Sequence, residues 1–402
     1  MSLLALAANK LFTPLEVVED AVLLIEDGII RALGRRPNVT LPPWAHVVEL
    51  GNQILAPGFI DIHIHGGAGH DVMEGTRDAL EAVARSVFEH GTTSFVPTTI
   101  SAAPEVLIQS IQRLRTVIES WNADHSAAMP APLLAKPLGI HLEGPFISLH
   151  CRGAHPRADL QMPSVPLFQR IMAAAGDSLR ILTLAPELEG AAGLQQYAIE
   201  KNVRVALGHS NATYEQALKA IDNGADHAVH VFNAMRPFAH RDPGILGAVL
   251  TDDRVMAEVI ADGVHVDAAA LRLLWRTKGV TRTVLVTDAV SATGMPSGQY
   301  FLGGMEIVLE DDFRTGLPTC RNHEGALAGS VLTQDRAVRN IMAMANVTLQ
   351  DAVRMASYNP ARVLGVEQRK GWLREGADAD LVLLSRDGSV AGAMVGGHAN
   401  FL

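Results

Sequence analysis

Two histidines separated by one residue, His63 and His65, lie at the end of the short apolar run Phe59–Ile64. Alternate residues of an extended strand share a face, so both imidazoles would point the same way while Ile62 points the other way. Neighbouring imidazoles repel each other when both are protonated, and a shared cation removes that repulsion. The pair therefore indicates a metal site, although a surface position or hydrogen bonding within a core would also accommodate two histidines.

Four more side chains with metal-ligand chemistry follow short apolar runs further along the chain: Glu143, His209, His230 and Asp288. Each of them could simply stabilise its own loop. Their repeated occurrence at the same end of the same kind of element makes independent loops a poor explanation. If the runs are parallel strands of one barrel, these ends meet at a single mouth, which is where the active sites of barrels lie.

The elements that must position these residues are eight strand-like runs, which alternate with segments of helical periodicity. The spacing leaves room for a crossover helix after each run, so we predict an α/β protein with a (β/α)₈ TIM-like barrel. An open doubly wound sheet is the alternative, but no Gly-x-Gly-x-x-Gly turn follows an early strand. The predicted strands are Phe59–Ile64, Thr93–Pro97, Leu138–Leu142, Leu179–Leu184, Val203–Leu207, Ala225–Val229, Val255–Ile260 and Thr283–Thr287.

Two of the intervening helices have clear end signals. Thr76–His90 is predicted to be a helix because Gly91 follows it in the position that a left-handed cap requires. A second helix is predicted over Tyr214–Asn223, because Thr213 and Gln216 have the spacing of a capping box.

Both ends of the chain have the composition of short β-strands. Ala21–Ile25 and Ile29–Leu33 flank a turn sequence, and Leu381–Leu384 is strand-like near the other end. We therefore predict a small β-sandwich domain built from residues 1–56 and 361–402, around a barrel domain of residues 57–360. Gln299–Glu324 does not fit a helix and is interpreted as a β excursion after the eighth barrel strand.

Composition excludes several classes of protein. Of the 402 residues, 48% are hydrophobic and 19% charged, which is a globular composition, and the net charge of −10 disfavours nucleic-acid binding. No apolar stretch approaches the ~20 residues that span a membrane. The apolar run Met1–Ala8 is too short and lacks the basic flank of a secretory signal, so we expect a cytoplasmic protein. Two cysteines cannot form a disulfide framework.

The motifs resemble those of the amidohydrolase superfamily and, more closely, those of the N-acetylglucosamine-6-phosphate deacetylases. The resemblance runs in order along nearly the whole chain. The matching stretches are Pro57–Gly67, His141–Phe146, Gly153–His155, Leu207–Ala212, His230–Met235, Arg241–Gly244, Ile260–His265, Val286–Ala289, Leu327–Ser330, Asn359–Ala361 and Gly376–Leu381.

The resemblance implies a metal-dependent hydrolysis of the N-acetyl group of N-acetylglucosamine 6-phosphate, which yields glucosamine 6-phosphate and acetate. Glu143, His209 and His230 would hold one divalent metal, expected to be zinc. Members of the family that keep both histidines of the His-x-His pair bind two metals, so His63 and His65 imply a second ion with Glu143 as the bridge. Many superfamily relatives use a carboxylated lysine for that bridge, and no lysine ends a predicted barrel strand here.

The resemblance also assigns the groups that act on the substrate. Asp288, beside the first metal, would take a proton from the attacking water and return it to the leaving amine. His155 would polarise the acetyl oxygen, although without the resemblance it would read as an ordinary loop histidine. Contacts to the amino sugar phosphate are assigned to Ala154, His155, Asn233, Ala234, Arg241, His265, Leu327 and Ala328.

Arg241 and His265 are the implied phosphate contacts, and arginine suits that role because its guanidinium meets phosphate oxygens bidentately. In related enzymes a dimer interface completes this side of the pocket, so a homodimer is expected. Three alternatives stay open. They are a deacetylase for the galactosamine epimer, a ring-amide hydrolase similar to dihydroorotases or hydantoinases, and a sugar-phosphate sensor without turnover.

Overall fold

The structure is a computed structural model that describes residues 3–126 and 133–402. Its strands are β1 (Leu4–Phe12), β2 (Val17–Glu26), β3 (Ile29–Arg35), β4 (His46–Glu49), β5 (Ile54–Pro57), β6 (Phe59–Ile64), β7 (Gly66–Gly67), β8 (His70–Asp71), β9 (Thr92–Thr99), β10 (Lys136–Pro137), β11 (Ile140–Leu142), β12 (Leu179–Leu184), β13 (Arg204–Leu207), β14 (His227–Ala228), β15 (Met256–Ile260), β16 (Thr283–Val286), β17 (Gly298–Leu302), β18 (Met305–Asp311), β19 (Pro318–Asn322), β20 (Leu381–Leu384), β21 (Val390–Val395) and β22 (His398–Ala399).

Its α-helices are α1 (Arg77–Glu89), α2 (Pro104–Ser126), α3 (Val165–Ala175), α4 (Ala191–Glu200), α5 (Tyr214–Asp222), α6 (Gly244–Thr251), α7 (Ala268–Arg282), α8 (Gln334–Ala345), α9 (Leu349–Ala356) and α10 (Tyr358–Leu364). No helix within the described residues is long and apolar enough to cross a membrane.

Parallel strands form the centre of the molecule in the order β6, β9, β11, β12, β13, β14, β15 and β16, with the short β10 also paired to β9. The ring closes just beyond β16, where Ile64 pairs in parallel with Ala289. The amide of Asp288 donates to the carbonyl of His63 at 2.9 Å, and the amide of His65 donates to that of Ala289 at 2.8 Å. The predicted (β/α)₈ barrel is confirmed.

The predicted strands agree with the observed ones except at their ends. Phe59–Ile64, Leu179–Leu184 and Leu381–Leu384 have the predicted bounds. The predicted run Ala225–Val229 is a strand only at His227–Ala228, although the amide of Val229 still donates to the carbonyl of Leu207. The chain leaves the ladder there because a tight turn begins at His230, whose φ is +26°.

Local capping places two helices as predicted. The hydroxyl of Thr76 accepts a hydrogen bond from the amide of Ala79 at the start of α1, and Gly91, with φ +83°, follows the C-cap. Thr213 and Gln216 form a reciprocal capping box at the start of α5. This box fixes the direction of the chain directly after the segment that carries His209.

Both termini build one small sheet, in the order β22, β21, β20, β5, β1, β2 and β3. The sheet forks at β1, because β4 pairs with the first half of that strand and β5 with Lys10 and Leu11. Leu6 and Ala5 therefore face different apolar clusters on the two sides of the sheet. A small β domain assembled from both ends of the chain is confirmed, while its boundaries at residues 56 and 361 stay a prediction. Within the run Met1–Ala8, the structure describes Leu3 onwards and β1 begins at Leu4; Met1 and Ser2 lie outside the described residues.

Residues 298–322, where the sequence indicates a β excursion, form the antiparallel sheet β17–β18–β19. Leu302 at the end of β17 and Leu327 after β19 both face the mouth of the barrel. This sheet therefore supplies an apolar wall above the carboxyl ends of the barrel strands.

Candidate metal centre and active site

The residues predicted to bind metal lie at the carboxyl ends of the barrel strands. His63 is in β6, His65 directly follows it, and Glu143 directly follows β11. His209, His230 and Asp288 lie just past β13, β14 and β16, with φ values of +45°, +26° and +53°. Such backbone conformations cost side-chain-bearing residues on the order of 1–3 kcal/mol each. The surrounding barrel holds them there, and the turns direct all three side chains inward.

The carboxylate of Glu143 is the centre of the cluster. Its Oε1 lies 3.0 Å from His209 Nε2, 2.9 Å from His230 Nε2 and 3.3 Å from His63 Nε2. Its Oε2 lies 3.3 Å from His65 Nε2. Glu143 is 3% exposed, so this charge is almost fully withdrawn from water. Among the predicted metal ligands alone, this one carboxylate thus faces four imidazoles, which is an arrangement suited to a bridging ligand.

Asp288 faces the same cluster from the eighth strand. Its Oδ1 lies 3.0 Å from His65 Nε2 and 3.6 Å from His63 Nε2. Burial raises the pKa of Asp288, but His65 and His63 lower it more, so the carboxyl is ionised at neutral pH. An ionised carboxylate at the edge of the cluster is able to accept a proton.

Hydrogen bonds behind the rings decide which nitrogen of each imidazole carries the hydrogen. His209 Nδ1 donates to the carbonyl of Cys151 at 2.9 Å, and His65 Nδ1 donates to that of Thr98 at 3.0 Å. His63 Nδ1 donates to the carboxylate of Glu258 at 2.9 Å. All three rings therefore present Nε2 to the carboxylates, with His63 Nε2 lacking any hydrogen-bond partner among the described residues.

Positive charge must lie between these nitrogen and oxygen atoms, either as protons or as a cation, because otherwise lone pairs would face lone pairs. Burial lowers the pKa of His65, and hydrogen bonds to Asp288 and Glu143 raise it more, to about 9. A metal therefore competes with protons for this site. The mixture of neutral imidazole and carboxylate ligands fits a divalent transition metal.

His155 has the opposite arrangement of hydrogen bonds. The backbone amide of Ser101 donates to His155 Nδ1 at 3.2 Å, so the ring hydrogen is on Nε2. Burial lowers the pKa of His155 to about 4, which keeps the ring neutral. Nε2 lies 3.4 Å from Glu143 Oε2. His155 therefore points an N–H donor at the cluster rather than a ligand lone pair.

Gly144 makes this arrangement possible. A Cβ atom at residue 144 would lie 2.1 Å from Ser101 Oγ and 3.3 Å from His155 Nδ1, and the φ of Gly144 is +74°. Any side chain here would displace Ser101 and with it the hydrogen bond that fixes His155. The Gly-Pro turn after Glu143 is thus part of the site.

A cleft of about 250 Å³ opens above the cluster. Six of the residues predicted to contact substrate line it: Ala154, His155, Asn233, Ala234, His265 and Leu327. Ala328 is completely buried behind the wall. The structure does not bring Arg241 to this cleft, since it lies exposed in the hairpin where Ala239 pairs with Asp242.

His265 lies on the wall of the cleft with a fixed ring. Asp262 Oδ2 accepts a hydrogen bond from His265 Nδ1 at 2.6 Å, which leaves Nε2 as the free ring nitrogen. Burial lowers the pKa of His265, but the hydrogen bond to Asp262 outweighs burial and the net shift is upward. A histidine that is readily protonated suits an anionic group of a ligand.

Three residues that support the site were not predicted from the sequence: Ser101, His227 and Glu258. Glu258 had a signal, because it is a charged residue within the apolar run Val255–Ile260. Ser101 had none, since its role depends on a contact with a residue 54 positions away. His227 lies inside a predicted strand rather than at its end, and its Nε2 lies 2.7 Å from Glu258 Oε1.

Comparison with known proteins gives a family. The Amidohydrolase family profile matches residues 54–399. N-acetylgalactosamine-6-phosphate deacetylase of Escherichia coli O157:H7 is 38% identical over 379 residues, 94% of each chain. N-acetylglucosamine-6-phosphate deacetylase of Homo sapiens is 39% identical over 363 residues, which are 87% of this chain and 84% of that protein.

A solved structure gives the same result. It is a variant of N-acetyl-D-glucosamine-6-phosphate deacetylase from Mycobacterium smegmatis in complex with N-acetyl-D-glucosamine-6-phosphate. It superposes with a TM-score of 0.88 and 34% identity over 99% of both chains. The chain therefore belongs to the amidohydrolase family and, within it, to the deacetylases of N-acetylated amino sugar 6-phosphates.

Proposed function

We propose that the protein hydrolyses the N-acetyl group of N-acetyl-D-glucosamine 6-phosphate to D-glucosamine 6-phosphate and acetate. The observation behind the proposal is that Asp288 and His155 line the same cleft as the buried Glu143 carboxylate. His155 Nε2 lies 3.4 Å from Glu143 Oε2, and Asp288 Oδ1 lies 3.0 Å from His65 Nε2. A proton acceptor and a proton donor beside a metal-binding cluster are the groups that amide hydrolysis needs. A pure binding protein would have little use for a proton carrier such as Asp288.

The metal is proposed to be zinc, with two ions held by Glu143, His63, His65, His209, His230 and Asp288. When bound, a divalent ion acidifies water enough to provide a nucleophile near neutral pH. Two ions are favoured over one because Glu143 presents its two oxygens to different histidines, Oε1 to His209 and His230 and Oε2 to His65.

Asp288 is the proposed proton carrier. Its Oδ1 faces the cluster and its side chain lines the cleft, so it meets both the attacking water and the amide nitrogen. It takes one proton as the water oxygen bonds to the acetyl carbon. It then gives that proton to the amine nitrogen as the C–N bond breaks. A shuttle of this kind contributes about 10²–10⁴-fold to the rate.

His155 is the proposed donor to the acetyl oxygen. Its Nε2–H points into the cleft because Ser101 holds the Nδ1 lone pair. Negative charge grows on the carbonyl oxygen when the tetrahedral intermediate forms, and a donor already aimed there stabilises it most. Burial keeps His155 neutral, so it donates without surrendering its proton.

The phosphate end is proposed to involve two copies of the chain. His265 reaches the cleft from within its own chain, whereas Arg241 is exposed and outside that cleft. We propose a homodimer in which Arg241 of one copy meets the phosphate bound by the other. Its guanidinium would supply positive charge close to the phosphate, which an anionic substrate needs because the net charge of −10 repels it. The cytoplasm is the proposed compartment, in keeping with the free thiols of Cys151 and Cys320.

The test is acetate release by the zinc-loaded protein from three substrates. We expect N-acetylglucosamine 6-phosphate to react at least about 10²-fold faster, in kcat/KM, than N-acetylglucosamine, because the charge-assisted phosphate contacts are lost in the latter. Equal rates on the two would remove the roles of His265 and Arg241. The third substrate is N-acetylgalactosamine 6-phosphate, which the Escherichia coli relative is named for. A kcat/KM higher for N-acetylgalactosamine 6-phosphate than for N-acetylglucosamine 6-phosphate would make the galactosamine epimer the substrate.

A further inference from the structure

A buried carboxylate, Glu258, lies behind the metal-facing histidines. It is in the middle of β15 and completely buried. Glu258 Oε2 accepts a hydrogen bond from His63 Nδ1 at 2.9 Å and a longer one, 3.3 Å, from the backbone amide of His230. Its Oε1 accepts from His227 Nε2 at 2.7 Å. One side chain thus connects strands β6, β14 and β15 directly beneath the cluster.

The hydrogen-bond partner of His63 differs from those of the other ligand histidines. His65 and His209 donate from Nδ1 to main-chain carbonyls, which are neutral acceptors. His63 donates to a carboxylate, and a carboxylate behind an imidazole fixes the ring and makes the metal-facing nitrogen more basic. Partners of this kind change metal affinity by about 10–100-fold when they are removed.

The position of His63 in the cluster predicts which of the two metal ions would be bound more weakly without Glu258. His63 groups with His65 and Asp288, and also with Glu143 and His230. His209 belongs to a group without His63, and its ring is held by the carbonyl of Cys151. Removing Glu258 should therefore weaken the ion on the His63 and His65 side more than the ion on the His209 side.

A buried charge of this kind needs compensation. Isolated carboxylates are too costly to bury, and His227 supplies a second charge-assisted hydrogen bond from below. His227 Nδ1 has no hydrogen-bond partner among the described residues, so its visible contact is with Glu258. His227, Glu258 and His63 thus form a chain of hydrogen bonds in the barrel interior, and His63 is the member of the chain that faces the metal cluster.

We propose that Glu258 is a positioning residue that retains the second metal ion, by holding His63 with its Nε2 lone pair toward the cluster. This inference rests on the proposed two-metal site and adds to it a residue outside the ligand set. Glu258 does not touch the substrate cleft, so its effect on catalysis would pass through His63 and the ion that His63 holds.

The direct test is metal content rather than activity. Wild type and Glu258→Gln are equilibrated with buffered free Zn²⁺, and bound zinc is measured by plasma mass spectrometry. We expect two equivalents in the wild type. In E258Q we expect one tight equivalent and a second whose Kd is raised about 10–100-fold. Glutamine keeps the size of the side chain and removes its charge.

Glu187→Gln is the matched control. Glu187 is a half-buried carboxylate three residues past the carboxyl end of β12, and it accepts from Ser210 Oγ at 2.7 Å and from the amide of Asn211 at 2.6 Å. It binds no ligand side chain, so E187Q should keep both equivalents. Two unchanged equivalents in E258Q would overturn the inference, as would equal losses in E258Q and E187Q.

A double-mutant cycle separates positioning from a general loss of structure. His63→Asn removes the ligand through which Glu258 acts. In the H63N background, E258Q should change neither zinc affinity nor stoichiometry further. A further loss in the double variant would contradict action through His63. Thermal unfolding of the metal-free proteins shows whether E258Q is folded. If it is not, His227→Gln replaces it. In that variant we expect the Kd of the second zinc ion to rise as well, by a smaller factor.

Acetate release measured beside zinc content separates the role of Glu258 from the proposed deacetylase activity. Absence of acetate release alongside loss of one zinc in E258Q would reject the proposed substrate and keep the role of Glu258. Acetate release by a wild-type protein that binds only one zinc would keep the proposed substrate and reject the role of Glu258, since there would be no second ion for Glu258 to retain.

Discussion

At the residue scale, the hydrogen bond at Nδ1 sorts the histidines of the cleft into two kinds. His63, His65 and His209 give their ring hydrogen to acceptors behind them, and so face the cluster with a lone pair. His155 receives the amide hydrogen of Ser101, and so faces the cluster with an N–H. The same side chain therefore serves as a ligand or as a donor according to one neighbour.

Replacing Asp288 tests the proton carrier at this scale. Asp288→Asn keeps the shape of the side chain but cannot accept a proton, so kcat should fall about 10²–10⁴-fold. Substrate affinity, measured by equilibrium binding to the zinc-loaded variant, should change far less than kcat. Metal content is measured on the same sample, because a variant that lost its zinc would be inactive for another reason. A fully loaded Asp288→Asn enzyme with the wild-type kcat would refute the role.

The sequence alone identified the candidate residues that can be recognised from their place at the end of an apolar run. Glu143, His209, His230 and Asp288 each end an apolar run, and that pattern needs no knowledge of the fold. Glu258 could not be identified in the same way, because its contact with His63 spans 195 residues and depends on the closure of the barrel. Hydrogen-bond partners across strands are set by register, which a single sequence does not reveal.

At the element scale, the site depends on how strands end and helices begin. Two residues past the ends of strands β13, β14 and β16, the chain reaches a residue with positive φ that bears a functional side chain. These endings shorten the regular strands relative to the apolar runs, which is why the predicted run Ala225–Val229 extends past the carboxyl end of β14. Periodicity reports burial, whereas the strand ends where the turn is formed.

The carboxylate of Asp335 at the start of α8 is predicted to stabilise the fold in a pH-dependent way. It lies in the first turn of α8, accepts from Thr333 Oγ1 at 2.6 Å, and pairs with Arg339 and with His90 at the end of α1. Burial raises the pKa of Asp335, but His90 and Thr333 lower it more, to about 2. The folded pKa is below the unfolded value of about 3.8, so the stabilisation is complete above pH 4 and lost as pH falls toward 2.

Asp335→Asn should therefore lower the free energy of unfolding by about 2 kcal/mol at pH 5. The difference from wild type should shrink to about half of that near pH 3. Urea unfolding of both proteins at a series of pH values measures it. A difference that stays constant over this range would mean that ionisation of Asp335 contributes nothing.

At the scale of the whole molecule, the small sheet and the barrel are joined through the first barrel strand. Strand β5 leads into β6 through Gly58, where a Cβ atom would lie 2.3 Å from the side chain of Thr93. The amide of Gly58 donates to the carbonyl of Asp380 at 3.1 Å, and the buried Lys370 pairs with Asp378 and Asp380. The spacing of strands predicts the barrel, but the fork of the small sheet at β1 depends on pairings that no local pattern specifies.

The proposed dimer makes a prediction at this scale. Arg241→Ala and Asp288→Asn homodimers should each be impaired, since every cleft lacks one group. A mixed dimer would contain one intact cleft, formed by Asp288 of one copy and Arg241 of the other. Co-expression with two tags should therefore restore up to about a quarter of wild-type activity in an unsorted mixture. Activity no greater than the sum of the two parents would place Arg241 outside the neighbouring cleft.

Metal dependence is tested most directly by acetate release from N-acetylglucosamine 6-phosphate, measured before chelation, after complete removal of metal, and after zinc is restored. The arrangement of Glu143 among four imidazoles predicts that activity is lost with the metal and returns with it. Metal removal should be easier at lower pH, because protons compete for the same nitrogen atoms. Full activity in protein shown to be free of metal would contradict metal-dependent hydrolysis at Glu143 and its histidines.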